Sequence, residues 1–190
     1  MRLRLTALLS LAAVGLSAGS LRAQQPDAAT QADMREVMSY RLTDSTFARL
    51  LKVQDNVYAT MKANPDVAKK YVGPLGGQSS DATPGLDGFV KTIDQIPEVK
   101  QAIARAGLST RQYLIASMAT MQAIMIDGML QTYGGADQGD IPPAIKDNMA
   151  FLKAHQTDVD RMRSRGVEIE QLVRRAHGEP AGDATRPHDG

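Results

Sequence analysis

The chain has 190 residues, 22 Lys plus Arg against 21 Asp plus Glu, no cysteine and no tryptophan. Without cysteine there is no disulfide framework, thiol nucleophile, Cys-ligated zinc or iron–sulfur site, c-type haem attachment or lipoprotein anchor. A net charge of +1 and 4% aromatics supply neither the basic field nor the stacking surface of a nucleic-acid binder.

Residues 1–23 have the layout of a secretory signal peptide. Arg2 and Arg4 form a positive start, Leu5 to Leu16 an apolar run, and small residues lead to a cleavage point after Ala23. The apolar run is far shorter than the ~20 residues a membrane-spanning helix needs. Removing the leader takes three arginines and no acidic residue, leaving 167 residues with 19 basic and 21 acidic side chains. The mature chain is then slightly acidic and carries no membrane span. The leader's style fits a bacterial periplasm or secretion. A single domain of that size stands on packing alone.

Residues 24–33 are small and polar, and read as a flexible segment. The domain proper covers 34–177, opening with a short helix over 34–41. A long helix follows Leu42-Thr43, with Phe47, Leu50, Leu51, Val57, Tyr58 and Met61 on one helical face. Asn64-Pro65 ends it and starts a short helix over 65–72. In residues 73–88, seven of sixteen positions are Gly or Pro, which reads as a loop. From Phe89 the helical period resumes through Ile93, Ile96, Val99 and Ile103. Pro97 should kink or divide that helix, and Gly107 should close it.

The next helix runs from Thr110 to Tyr133. The fifteen residues between Arg111 and Asp127 carry no charge. A helix apolar on nearly every face is expected at the centre of a bundle. Its interruptions argue against a membrane span. Met118, Met121, Met125 and Met129 lie in one sector of it. Such a stripe has three readings: adaptable core filler, a re-packing surface for a client, or thioether ligands for copper.

After a loop over 134–143, the last helix spans 144–176, and residues 178–190 form a disordered tail. Ile145, Leu152, Val159, Gly166 and Val173 recur every seven residues; Asn148, His155, Met162 and Ile169 do the same, offset by three. The two rows make a coiled-coil-like seam. Asn148 and His155 are its polar members. They read either as a hydrogen-bonded pair fixing register or as partners of the methionines in a copper or haem site. No second His stands at i+3 or i+4 of His155, and no Glu-x-x-His pair occurs. Gln122, among apolar neighbours, needs hydrogen-bond partners if buried.

The whole reads as an all-α bundle of four main helices plus a short one. Nothing resembling a Gly-x-Ser-x-Gly elbow, His-Glu-x-x-His, P-loop or EF-hand occurs, so neither an enzyme nor a resident cofactor is expected. Two capping segments add a family likeness. Leu108-Ser109-Thr110-Arg111-Gln112 is laid out as a capping box, with Leu108 able to staple onto Tyr113. Leu42-Thr43-Asp44-Ser45-Thr46 repeats the layout ahead of Phe47. These segments resemble the Leu-Thr-x-x-Gln motifs of the Spy-like periplasmic proteins. That family's members are small, secreted, all-α and Met-containing, and some are ATP-independent chaperones or stress regulators. In the second motif Ser replaces Thr, and the first lacks Gln. The resemblance implies a non-enzymatic protein whose partner is another polypeptide or an envelope component. The central-helix methionines with Asn148 and His155 are the candidate partner- or ligand-binding residues.

Overall fold

The computed structural model describes residues 28–71, 85–133 and 141–178. Among them are eight helices and no strand. They are α1 (Ala28–Ser39), α2 (Asp44–Ala63), α3 (Pro65–Lys70), α4 (Leu86–Asp94), α5 (Pro97–Arg105), α6 (Thr110–Tyr133), α7 (Pro143–Ala154) and α8 (Gln156–Ala176). The all-α class holds, but the helices are more numerous and shorter than the sequence pattern implies. The leader, residues 24–27 and most of the tail lie outside the described residues. Residues 28–33, read as flexible, are the first turns of α1.

Local chemistry explains most helix ends. Thr43 caps α2, its Oγ1 accepting from the Thr46 N–H at 3.2 Å. Asn64 closes α2 through its N–H to the Thr60 carbonyl and caps α3 by accepting from the Asp66 N–H. Pro65 and Pro97 stand at the first positions of α3 and α5, where no N–H is required. Pro97 thus divides the predicted 89–107 helix. Gly107 follows α5 at φ +82, a left-handed conformation that only Gly adopts without strain. At α6 the capping box is complete. The Gln112 N–H donates to Ser109 Oγ at 3.2 Å, and the Ser109 N–H donates to Gln112 Oε1 at 3.0 Å.

α2 is the axis of the core. It packs against α8, α5, α3 and α6, while α6 packs against α7, α4 and α1 as well. Phe47, Val53, Met61, Val67, Val99, Ile103 and Leu114 are fully buried. Arg161 and Arg165 of α8 both bond Asp55 of α2, at 2.6 and 2.9 Å. The Arg165 guanidinium also lies 4.3 Å over the Tyr58 ring, a cation–π contact.

α1 buries no residue and is fastened by polar groups. Arg111 of α6 bonds Asp33 at 2.9 Å, Glu36 at 2.6 Å and Asp87 at 2.8 Å. The other Asp33 oxygen accepts from the Leu86 N–H at 2.8 Å, capping α4 from a distance. That approach needs Gly85, since a Cβ there would stand 2.9 Å from Asp33 Oδ2.

Candidate functional site

The polar members of the seam separate into two environments. Asn148 is 2% exposed. Its Oδ1 accepts from the Leu42 N–H and its Nδ2 donates to the Tyr40 carbonyl, both at 2.8 Å. The chain between α1 and α2 has no helical partners for those groups, so Asn148 supplies both bonds. Both of these bonds go to the backbone.

His155 stands where the expected single helix breaks. Its backbone (φ −112, ψ 33) closes α7 and opens α8, so 144–176 is two helices. The imidazole stacks on Phe151 with centroids 4.1 Å apart and meets Phe47 edge-on at 6.0 Å. Nδ1 pairs with the Phe151 carbonyl at 2.8 Å, and Nε2 with Asp44 at 3.1 Å. Both ring nitrogens therefore have protein partners. The ring borders a polar surface depression with Asp44, Asp55, Asp158 and Arg161. Among the described residues no group of three His, Cys, Asp or Glu side chains could hold a metal ion.

The methionine sector divides along α6. The N-terminal half of that helix is walled in: Leu114, Ile115, Ala116, Ala119, Thr120 and Ala123 are buried. Met118 packs partly buried against the core. Farther along, Met121, Met125 and Met129 are 42%, 57% and 53% exposed. Spaced four residues apart, they make one open ridge. The expectation of a helix buried throughout fails over this second half. By length and composition Thr110–Thr132 would suffice to cross a membrane. Its neighbours α1, α2, α4, α5 and α7, and its ion pairs from Arg111 and Asp127, are those of a bundle helix.

Between α2, α6 and α8 lie two depressions. One, of about 320 Å³, is lined by Val57, Tyr71, Tyr113, Ile169 and Val173. The other, about 180 Å³, is lined by Leu50, Ser117, Ile124, Met162 and Met121 of the ridge. Gln54 and Tyr113 line both. Gln54 Oε1 is buried without a hydrogen-bond partner, as is Gln122 Oε1. Unpaired buried carbonyls are uncommon in native proteins. The Tyr71, Tyr113 and Ser117 side chains neighbour one another here. Burial pushes the Tyr71 phenol well above its ordinary pKa, reinforced by Tyr113. Burial likewise raises that of Tyr113, against the opposing hydrogen bonds from Tyr71 and Ser117. Both rings stay neutral at physiological pH.

Sequence reasoning missed Gln54 because it falls inside a regular amphipathic helix, with no local signal beyond one amide near the apolar face. Compared with protein families, curated proteins and solved structures, the chain matches none.

Proposed function

We propose that this is a non-enzymatic helical protein of the bacterial periplasm that holds exposed apolar segments of other polypeptides on the methionine ridge of α6. The observation that carries the reading is the exposure of Met121, Met125 and Met129 on one face. Core filler would be buried. Unbranched thioether side chains instead suit a surface that must re-pack around varied sequences. The leader-like first 23 residues and the Spy-like capping segments support the location and the class.

The alternative is a copper or haem site built from those methionines with His155. It has less support, because both imidazole nitrogens are engaged by Phe151 and Asp44.

The test is suppression of aggregation of thermally unfolding malate dehydrogenase, followed by light scattering. The mature protein at several-fold excess should suppress it. A variant with Met121, Met125 and Met129 all changed to Ser should lose most of the effect while keeping its helical circular dichroism. No suppression by the parent protein, or equal suppression by the variant, would overturn the proposal.

A further inference from the structure

We infer that Met121, Met125 and Met129 are a modification site: peroxide-class oxidants convert them to methionine sulfoxides, which turns the ridge polar while the bundle stays folded. The inference rests on the proposed holding role for its consequence, since oxidation then releases clients. Its chemistry rests on how the fold distributes sulfur. Among the described residues six large hydrophobic side chains are exposed, and five of them are methionines, Val167 being the sixth. The large side chains buried to less than 2% exposure include one methionine, Met61. Met118, Met149 and Met162 are partly buried and packed against the core. The apolar surface is therefore oxidisable, whereas the core, built mainly of Leu, Ile, Val and Phe, is not. On α6 the three ridge methionines are the only exposed large hydrophobics among the described residues. Its exposed apolarity there is that of the thioethers alone.

Susceptibility to oxidation follows access. The chain has no cysteine, so no thiol consumes the oxidant first. The step transfers two electrons. A thioether lone pair attacks one oxygen of hydrogen peroxide, and the S–O bond forms as the O–O bond breaks. Sulfur is oxidised and the departing oxygen is reduced. The leaving hydroxide takes the proton of the transferred hydroxyl and departs as water. In a core the new polar group disrupts packing; on the ridge it faces water. The four-residue spacing places all three on one face, so their oxidation changes one continuous strip. Reversal needs a separate methionine sulfoxide reductase, because this chain has no thiol of its own. Two thiols supply the electrons, becoming a disulfide, and the oxygen leaves as water.

The test adds hydrogen peroxide to the mature protein. Sulfoxides are mapped by peptide mass spectrometry, beside retention on a hydrophobic-interaction column and helical circular dichroism. Met121, Met125 and Met129 should gain oxygen before Met61, Met149 and Met162. Retention should fall while the helical signal stays. A variant with all three ridge methionines changed to Leu keeps their volume and apolarity and cannot be oxidised there, so it should lose much less retention. Met34 and Met38 of α1 are also exposed and take oxygen in both proteins, so the difference between the two reports the ridge. The two stereospecific methionine sulfoxide reductases with a dithiol should restore the retention of the oxidised parent. Met61 oxidised as early as the ridge, helix lost at the dose that oxidises the ridge, an equal retention shift in the Leu variant, or a shift the reductases do not reverse would overturn the inference. A parent that holds clients should lose most of its suppression once oxidised, and unchanged suppression would overturn the switch. A parent that holds none before oxidation sinks the proposed function instead, while mapping and retention still decide the site.

Discussion

Replacing Asn148 by Ala tests whether the seam's buried amide is a structural tether. The side chain is 2% exposed and serves two backbone groups, the Leu42 N–H and the Tyr40 carbonyl, at 2.8 Å each. Truncation leaves both without a partner in a closed interior. An orphaned buried polar group costs about 1–3 kcal/mol, so the pair amounts to roughly 2–6 kcal/mol. Against a total stability of ~5–15 kcal/mol, that is a large fraction. For a domain of this length it corresponds to a fall in Tm of about 4–24 °C. Urea and thermal unfolding followed by circular dichroism would measure it. Asn148→Asp separates the two bonds. A carboxylate still accepts from Leu42 but turns a lone pair toward the Tyr40 carbonyl. It should destabilise at neutral pH and recover in part on acidification, when the protonated oxygen can donate. A change of less than ~0.5 kcal/mol in Asn148→Ala, the level of an ordinary surface substitution, would refute the tether.

Two other substitutions probe the frame around the two depressions. Arg111→Ala removes the guanidinium shared by Asp33, Glu36 and Asp87. Each exposed pair is worth little, so global stability should fall by only about 1 kcal/mol. Because α1 buries no residue, amide-exchange protection across 28–39 should nonetheless collapse, and retained protection would contradict the clamp. Tyr71→Phe addresses alkaline stability. The folded-state pKa values of Tyr71 and Tyr113 are raised, so their stabilising contribution is complete below about pH 10 and is lost as pH rises through those values. The parent protein should unfold on alkaline titration, with late phenol ionisation at 295 nm, and Tyr71→Phe should flatten that dependence; an identical profile would refute it.

Much of the fold was legible because it is written in local chemistry. Thr43, Asn64-Pro65, Pro97, Gly107 and the Ser109/Gln112 box each act over a few residues. The structure places them as the sequence implies. Asn148 was identified as a polar seam residue, although its partners come from the chain before α2 and not from a facing helix. The break at His155 was not legible. The heptad pattern runs through it without a Gly or Pro, and two of the contacts that His155 makes there are tertiary, to Phe47 and Asp44 of α2. Gln54 was invisible for the same reason, since its lack of a partner is a property of three helices at once.

That break also sets the course of α8. A straight continuation of α7 would have carried the seam onward in one direction. Instead the chain turns at His155, and α8 packs mainly across α2 and α3, fixed there by Arg161 and Arg165 on Asp55. Lys153, at the end of α7, still reaches Asp127 of α6 at 2.8 Å. α8 then continues beside α6: Gln156, Val159 and Arg163 share a depression with Asp127, Gly128 and Gln131, and Met162 lies across a narrow one from Met121 and Ile124. Met125 and Met129, which line neither depression, stand open. The near-uniform apolarity of α6, which in the sequence looks like a single signal for burial, therefore serves three settings along one helix: core at Leu114 to Ala116, a depression wall at Ser117, Thr120 and Ile124, and the open ridge at Met121, Met125 and Met129, the first of which also borders that wall. Periodicity distinguishes faces of a helix but not positions along it, and here the position along the helix decides what each side chain does.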